Sequence, residues 1–474
     1  MSPTRTLTTV AATAALVLGT GLAAQADTTA PDAAAAASTH YSGSLDSGAT
    51  WVADKPADWN GTLVLYSHGF GNLSPSDAPD PTTQAALLDS GYALVGSSYS
   101  GPSLWALESA TDDQFAALAA AKKVIGQPQH VLALGTSMGG LISAQEAERG
   151  HGRIDGALTT CGLLGGGVNL NNYQLDGEHA IAQLLADEPD IKLVDYANFG
   201  EAQAATAALT EAVTAAQSTS AGRARTALAA ALMQVPDWIS GTEPPTSYTE
   251  QQAQQAAWLP PMLGFTISGR PWIEQSAGGN ASWNVGVDYA KMIRQSEHYP
   301  QIRALYRKAG LNLDADLRTL TRTADVAPDT DALRSLTASS TVTGRITVPQ
   351  LTLHTISDQL APVTYENAYR DQVQRAGRAS LLRQTYTQSI GHCNFTPAEI
   401  VGALNTVHKR VTTGHWPSTS AHAMTRAADA TGYGDSSFIT YRPGTFINAR
   451  SYTSSQHGSG HGHGHGGGHG HGGR

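Results

Sequence analysis

One serine stands in a sequence context that suits nucleophilic catalysis. Residues 130–141 read H-V-L-A-L-G-T-S-M-G-G-L, in which 131–134 predict a short buried strand and 141–147 predict a helix. Ser137 lies between them in a G-x-S-x-G pentapeptide. On a sharp strand-to-helix turn a serine hydroxyl projects above the sheet, and small residues two before and two after it let neighbouring chain pass close by. The alternative is a glycine-rich turn with a buried serine.

His392 and Asp358 are the residues best placed to activate Ser137. A serine hydroxyl needs a base to accept its proton, and the base needs an acid that fixes its tautomer and stabilises the imidazolium. Ser137, Asp358 and His392 occur in that order, and each directly follows a predicted strand. Since ligands of parallel sheets bind beyond the carboxyl ends of the strands, we expect the three side chains to converge there. Asp329 and Asp331 are the alternative acids, but they precede a predicted strand.

A glycine-rich loop supplies the other half of the expected chemistry. The apolar run at 62–66 predicts a strand, and it leads directly into H-G-F-G at 68–71. Enzymes with an activated serine bind the developing oxyanion with one backbone N–H of such a loop and with the N–H that follows the nucleophile. The backbone amides of Phe70 and Met138 are therefore the predicted oxyanion-hole donors. A plain strand-terminating turn is the alternative for this loop.

The elements that must position these residues alternate in type. Strands and helices alternate from 62 to 161, and the strand pattern returns at 348–356, which predicts an α/β protein with a mostly parallel sheet and helices on both faces. Between 164 and 345 strand-like runs are rare and helical patterns dominate. This predicts a large helical insertion that forms a cap, a lid or a pocket wall. One of its helices is predicted over 248–258, with Pro260-Pro261 directly beyond it.

Charge and composition limit the classes of partner. The formal net charge is −10, and only 14% of the residues are charged, while 41% are hydrophobic. No basic face is evident, which argues against nucleic acid or an anionic membrane as the main partner. There is no H-E-x-x-H, no dinucleotide-binding fingerprint and no phosphate loop. The sequence therefore predicts neither a cofactor nor a catalytic metal.

The first 26 residues have the pattern of a secretory signal peptide. Arg5 supplies a positive charge, an apolar Ala-rich run follows at 10–22, and Ala24-Gln25-Ala26 forms a small-x-small cleavage site. The run is short for a bilayer-spanning helix, which needs about 20 apolar residues. We expect a secreted, extracellular protein without stable membrane insertion; an N-terminal membrane anchor is the alternative.

The predicted organisation of the chain has six parts. They are a signal peptide at 1–26, a disordered leader at 27–39, a catalytic domain at 40–163 and 346–416, a helical cap at 164–345, a C-terminal extension at 417–450 and a disordered His/Gly-rich tail at 451–474. Histidines at alternate positions of the tail, such as His461, His463 and His465, predict weak and unselective transition-metal binding. A purely solubilising tail is the alternative.

Four motifs together resemble those of the α/β-hydrolase superfamily. They are H-G-F-G at 68–71, G-T-S-M-G at 135–139, S-D-Q-L-A-P-V at 357–363 and G-H-C-N-F at 391–395. The helical segment also follows the strand after the nucleophile strand, where caps of this superfamily usually enter. The resemblance covers residues 41–416 and implies the α/β-hydrolase fold with a serine hydrolase mechanism. Ser137 would attack a carbonyl carbon, His392 would transfer the proton, and water would release the acyl group.

The cysteines narrow the resemblance at one point. Cys393 directly follows the proposed catalytic histidine, which is similar to the tannase and fungal feruloyl esterase group, where that cysteine is bonded to a cysteine just before the serine. Here Thr136 precedes Ser137, and the only other cysteine is Cys161. Export permits a disulfide, and we expect a Cys161–Cys393 bridge that tethers the histidine loop. Two free buried thiols are the alternative. Because Thr136 stands where the tannase group has a cysteine, the resemblance does not extend to tannase-like specificity.

The sequence thus predicts a serine hydrolase that cleaves carboxylic esters through an acyl-enzyme intermediate, as carboxylesterases and lipases do. Its expected substrate is a small-molecule or polymeric ester. An amidase or peptidase with the same triad is the first alternative. The second is a non-catalytic binding protein of hydrolase fold with a metal-binding tail, although such a protein has no need of Ser137, Asp358 and His392 together.

Overall fold

The computed structural model describes residues 38–452. The predicted signal peptide (1–26) lies outside the described residues. So do the predicted leader (27–39) and the predicted tail (451–474), apart from two residues each, and these assignments stay predictions.

A nine-stranded sheet forms the centre of residues 38–452. Its strands are β1 (Ser38–Ser44), β2 (Thr50–Pro56), β3 (Thr62–Ser67), β4 (Ala93–Ser97), β5 (His130–Thr136), β6 (Gly156–Thr160), β7 (Gln350–Ser357), β8 (Leu382–Ile390) and β9 (Phe438–Ile439). Their order in the sheet is β1-β2-β4-β3-β5-β6-β7-β8-β9. The pairs from β4 through β8 are parallel, whereas β1, β2 and β9 pair antiparallel at the two edges. The carboxyl ends of β3, β5, β6, β7 and β8 therefore meet along one edge.

Fourteen α-helices accompany the sheet in the described part of the chain. They are α1 (Pro81–Asp89), α2 (Ala110–Ile125), α3 (Met138–Arg149), α4 (Gly167–Leu185), α5 (Phe199–Ala216), α6 (Ser220–Leu232), α7 (Tyr248–Ala277), α8 (Tyr289–Ile293), α9 (Tyr299–Ala309), α10 (Leu313–Thr323), α11 (Thr330–Ser339), α12 (Thr364–Arg375), α13 (Pro397–Thr413) and α14 (Ala421–Asp429). Among residues 38–452, none of these helices has the length and apolarity that crossing a membrane requires.

The alternation of side chains along the strands divides the core into two layers. Leu63 and Leu65 of β3 belong to one buried cluster, and Val64 and Tyr66 belong to the other, because successive side chains of a strand point to opposite faces. The first cluster continues into α2, α3 and α12, and the second into α1, α13 and α14. Helices thus cover both faces, as the sequence predicts.

The eight helices α4 to α11 lie between β6 and β7 and form the predicted helical insertion. Their buried residues, such as Leu175, Leu228 and Leu263, belong to the same cluster as Leu63 and Leu65 of the sheet. The insertion is therefore packed on the sheet domain through one continuous apolar core. Its role as a lid stays a prediction.

The boundary predicted for the helix at 248–258 is wrong. Helix α7 runs through Pro260, Pro261 and Pro271 to Ala277. A proline inside a helix removes one backbone hydrogen bond and crowds the preceding turn. Here Leu259 and Met262, on either side of the paired prolines, are fully buried against neighbouring helices. Tertiary packing of this apolar stretch outweighs the local helix-breaking tendency.

Residues 446–450, near the end of the described chain, pack against α12 and the insertion. The Phe446 ring lies 4.8 Å from that of Tyr365 on α12. Asn448 is fully buried, and its Nδ2 donates to Asp176 Oδ2 on α4 at 2.7 Å. Arg450 makes an ion pair with the same carboxylate. Through these contacts the C-terminal residues connect α4 of the insertion with α12 of the sheet domain.

Candidate active site

Ser137 occupies a sharp turn between β5 and α3. Its backbone angles are φ 61° and ψ −121°, a region that residues other than glycine rarely adopt. Tight packing around the turn explains the surrounding glycines. A Cβ on Gly135 would lie 1.9 Å from the Gly139 carbonyl oxygen, and one on Gly139 would lie 1.8 Å from that of Ser67. The G-x-S-x-G motif is therefore required by the close approach of backbone on both sides of the serine.

The structure brings Ser137, His392 and Asp358 into one hydrogen-bonded chain. His392 Nε2 lies 2.7 Å from Ser137 Oγ, and His392 Nδ1 lies 2.9 and 2.8 Å from the two oxygens of Asp358. A carboxylate only accepts hydrogen bonds, so Nδ1 carries a proton, and in the neutral ring Nε2 then has a free lone pair. That tautomer allows His392 to take the proton of the serine hydroxyl.

Each member of this chain is held by the end of a strand. His392 follows β8 and precedes α13, whose start is fixed by a reciprocal capping box of Thr396 and Glu399. Asp358 follows β7, and its Oδ1 accepts from the backbone N–H groups of Leu360 and Ala361, both at 2.8 Å. Asp329 and Asp331, the alternative acids, instead cap the start of α11 and carry an exposed ion pair, respectively.

Asp358 is buried and remains ionised. Burial by itself raises the pKa of a carboxyl, but His392 and His354 outweigh this effect and hold the pKa of Asp358 well below its usual range. An ionised Asp358 would stabilise a positively charged ring at His392.

A second histidine lies behind Asp358. His354 of β7 is fully buried, and its Nε2 lies 3.6 Å from Asp358 Oδ2 and donates to the Ala361 carbonyl oxygen at 2.8 Å. Its Nδ1 lies 3.1 Å from Glu366 Oε1. Because both ring nitrogens face acceptors, both carry protons. Burial would lower the pKa of His354, yet the carboxylates of Asp358 and Glu366 raise it to about 10.

The predicted oxyanion-hole residues flank the serine. Met138 is the first residue of α3, so its amide has no carbonyl partner one turn earlier in that helix. Gly69 packs directly on Ser137, since a Cβ on Gly69 would lie 3.3 Å from the Ser137 Cβ. Phe70 follows it in the same loop and lines the cavity. Both predicted donors are thus beside Ser137, and their function as donors stays a proposal.

His68 of this loop is a structural residue. Its ring stacks on Tyr99 at 4.1 Å, and its Nδ1 donates to the Gly69 carbonyl oxygen at 2.8 Å. Burial lowers the pKa of His68, so the ring is neutral. Its Nε2 is buried without a hydrogen-bond partner among residues 38–452.

A disulfide joins the ends of two neighbouring segments of the site. Cys161 follows β6, and Cys393 follows His392; their Cα atoms lie 5.3 Å apart. The bridge is the one expected from the sequence. These two sulfurs and His392 are also the one cluster of ligand-type side chains close enough to hold a metal in the described part of the chain. Bonded to each other, the sulfurs are not thiolate ligands.

A cavity of about 500 Å³ opens at Ser137 and His392. Its walls are mostly apolar and come from the sheet loops and from two insertion helices, α4 and α7. Phe265 of α7 makes an edge-to-face contact with Phe70 of the glycine loop, with ring centroids 6.1 Å apart. No Lys, Arg, Asp or Glu lines the cavity within the described residues. A mostly apolar cavity of this volume without charged lining residues suits an uncharged small molecule next to the serine hydroxyl.

The strand order and the position of the serine turn define the α/β-hydrolase fold, as the sequence motifs predict. No protein-family model matches the sequence. Among curated proteins, the chain is similar to the o-phthalyl amidase of Xanthobacter agilis, with 28% identity over 419 residues, which are 83% of this chain and 91% of that protein.

Solved structures of esterases resemble the chain more distantly. Feruloyl esterase B from Aspergillus oryzae has a TM-score of 0.39 and 13% identity, over 79% of this chain and 80% of that one. Brefeldin A esterase, a bacterial homologue of human hormone sensitive lipase, has a TM-score of 0.36 and 14% identity, over 87% of this chain and 79% of that one. The fold and the amidase relative support a hydrolase, without distinguishing esters from amides.

Sequence reasoning missed several residues of this region. His354 falls inside a predicted strand, where a histidine gives no signal of its own. Gln174 and Thr266, which line the cavity, lie on different insertion helices more than ninety positions apart. For His354, the H-x-x-x-D spacing to Asp358 is the one sequence feature that could have indicated a contact between the two side chains.

Proposed function

We propose that this protein is an exported serine hydrolase that cleaves carboxylic esters through Ser137, His392 and Asp358. The observation that carries the proposal is the continuous set of contacts from Ser137 Oγ to His392 Nε2 at 2.7 Å and from His392 Nδ1 to the Asp358 carboxylate at 2.8 Å. A buried serine without a catalytic role requires neither the base nor the acid.

The reaction proceeds in two halves. Ser137 Oγ attacks the substrate carbonyl carbon while its proton moves to His392 Nε2, and the charged ring is stabilised by Asp358. The carbonyl oxygen becomes an oxyanion that accepts from the amides of Met138 and Phe70. The carbon–oxygen bond to the leaving group then breaks, and the departing alcohol takes the proton from His392. Water, deprotonated by His392, attacks the acyl-enzyme and releases the acid, which restores Ser137.

The experiment that tests this proposal compares hydrolysis of p-nitrophenyl esters by the mature protein and by Ser137→Ala. We expect ester turnover in the mature protein and a loss of at least about a thousandfold in the variant, since the residual rate then depends on binding and the oxyanion donors alone. Labelling of Ser137 by a fluorophosphonate is the second readout. A variant that retains turnover, or a folded wild-type protein that neither labels nor turns over esters, would contradict the assignment.

Amide cleavage by the same residues is the second candidate, because the chain is similar to an o-phthalyl amidase. Amide hydrolysis differs in that His392 must protonate a poor amine leaving group. Matched p-nitroanilides of the same acyl groups distinguish the two. Turnover of anilides at rates comparable with the esters would favour an amidase.

We also propose export, on the basis of the N-terminal pattern and of the Cys161–Cys393 disulfide. Structural disulfides form and persist in oxidising compartments. The mature protein recovered from the culture medium is expected to begin at Asp27. A full-length N-terminus on a membrane-bound product would instead favour the anchor.

A further inference from the structure

Phe70 stands between two glycines in the loop that is proposed to bind the oxyanion. Gly71, which follows it, has φ 134°, a conformation that residues with a side chain rarely adopt. Neither the amide nor the carbonyl oxygen of Phe70 takes part in a hydrogen bond within the described part of the chain. Backbone hydrogen bonds therefore do not fix the direction of the Phe70 amide, and the contacts of its ring become decisive.

Two residues of α7, a helix of the insertion, lie against that ring. Phe265 makes an edge-to-face contact with Phe70, with 6.1 Å between the ring centroids. Gly269 lies one turn after Phe265, and a Cβ on Gly269 would lie 3.7 Å from Cε1 of the Phe70 ring. One face of α7 thus borders the ring at two successive turns.

A third neighbour of the ring is itself bonded to the insertion. The ring centroid of Trp105 lies 6.2 Å from that of Phe70, and Trp105 is almost fully buried. Its Nε1 donates to Ser340 Oγ, directly after α11, at 3.1 Å. Its carbonyl oxygen accepts from Ser276 Oγ of α7 at 2.8 Å. The aromatic contacts of Phe70 therefore lead to α7 both directly and through Trp105.

Phe265 is exposed for a large aromatic residue. Its relative exposure is 46%, although most apolar side chains of α7 are buried. An apolar side chain that remains this exposed contributes less to folding than one in the core. Its edge-to-face contact nevertheless prefers a defined geometry of the two rings. Phe265 is thus better suited to orienting Phe70 than to stabilising the insertion.

We propose that Phe265 is a positioning residue for the oxyanion hole, because its contact with the Phe70 ring directs the Phe70 amide toward the substrate carbonyl oxygen. This rests on the proposed function of Ser137 and on Phe70 as an oxyanion donor. The insertion then takes part in catalysis by orienting a loop of the sheet domain, in addition to forming a wall of the cavity.

The test measures kcat and KM of Phe265→Ala for p-nitrophenyl acetate and for methyl acetate, whose leaving groups differ in size. An oxyanion forms in both halves of the reaction, so kcat should fall roughly three- to tenfold for either ester while KM changes little. Phe265→Tyr keeps the aromatic ring and should retain the wild-type kcat.

A double-mutant cycle with Phe70→Ala identifies the route of the effect. Phe70→Ala should itself lower kcat, and adding Phe265→Ala to it should have no further effect. If Phe70→Ala does not fold, Phe70→Leu takes its place, since leucine also lacks the aromatic ring. The matched control is Phe199→Ala, an exposed phenylalanine of α5 that does not line the cavity. It should leave kcat and KM unchanged.

Four results would overturn the positioning role. An unchanged kcat in Phe265→Ala is the first. A raised KM without a fall in kcat, or a loss confined to one of the two esters, would indicate direct contact with the substrate instead. An equal loss with and without the Phe70 ring would exclude the route through Phe70. Failure of the proposed function is distinct, because wild-type turnover would then not depend on Ser137.

Discussion

Replacement of His354 by glutamine should change the pH dependence of catalysis as well as stability. His354 is a protonated ring between two carboxylates, with Nδ1 3.1 Å from Glu366 and Nε2 3.6 Å from Asp358. The substitution His354→Gln removes the positive charge while an amide can still donate to the Ala361 carbonyl. Asp358 and Glu366 are then left without their buried counter-ion.

The magnitude follows from the shared contact on Asp358. His354 Nε2 and His392 Nδ1 both lie near Asp358 Oδ2, at 3.6 and 2.8 Å, so the two rings are close neighbours. At an effective dielectric constant of about 20, two unit charges roughly 6 Å apart interact by about 3 kcal/mol, which corresponds to about two pKa units. His354→Gln removes this interaction. Its removal should shift the acidic limb of kcat/KM upward by one to two pH units, by the same estimate.

The assay is the kcat/KM of an uncharged p-nitrophenyl ester from pH 4 to 10, with thermal unfolding measured in parallel. Loss of one partner of a buried ion pair costs roughly 3–5 kcal/mol, so the variant should also unfold at lower temperature. His179→Phe is the control: that histidine is also buried, in the insertion, and its Nε2 contacts the Leu320 carbonyl oxygen. It should destabilise without moving the acidic limb. An unchanged limb in His354→Gln, with reduced stability, would refute the electrostatic argument.

His354 should also make the free energy of unfolding depend on pH. Its folded-state pKa of about 10 lies above the ordinary value of 6.5. The stabilisation is therefore fully present below pH 6.5 and is lost as the pH rises toward 10. The wild type should lose this contribution in alkaline solution, and His354→Gln should not.

Two further predictions concern Glu146 and the Cys161–Cys393 disulfide. Burial raises the pKa of Glu146 on α3 to about 8, so the neutral carboxyl is favoured in the folded state. The free energy of unfolding should therefore fall by up to about 1.4 kcal/mol per pH unit as the pH rises from 4.5 to 8. The variant Glu146→Gln should remove this slope. Denaturant titrations at several pH values check it, with the exposed Glu188→Gln as the control; a slope that survives in Glu146→Gln would contradict the assignment. Cys161→Ala/Cys393→Ala removes a bridge across 232 positions and should cost about 2–5 kcal/mol of stability, together with part of kcat through a looser His392 loop. The same losses in wild-type protein treated with a reductant would support this, and full activity of the reduced protein would count against it.

The convergence of Ser137, Asp358 and His392 could be predicted from the sequence. Each of them follows a predicted strand, and the carboxyl ends of parallel strands lie at a common edge of the sheet. The G-x-S-x-G motif was equally readable, since Gly135 and Gly139 are small for a local steric reason. Residues whose role depends on distant partners could not be predicted in this way. Gln174 and Thr266 line the same cavity only because α4 and α7 both border it.

The end of helix α7 could not be predicted from local sequence rules either. Local rules place a helix end before Pro260-Pro261, and those rules describe the chain in isolation. In the folded protein Leu259 and Met262 bury their side chains on neighbouring helices, and that energy is not visible in a window of a few residues. Without the full length of α7, neither Phe265 nor Thr266 would reach the cavity.

The return of the C-terminal segment onto α4 has a consequence for how the protein is made. Asn448 and Arg450 complete the surroundings of Asp176, which precedes them by more than 250 positions. A growing chain cannot complete the surroundings of Asp176 on α4 until residues 448–450 have been synthesised. A variant that ends before residue 446 would lack Phe446, Asn448 and Arg450, and so would expose the Tyr365 ring and the Asp176 carboxylate. Completion of the contacts around Asp176 on α4 therefore depends on synthesis of nearly the whole described chain.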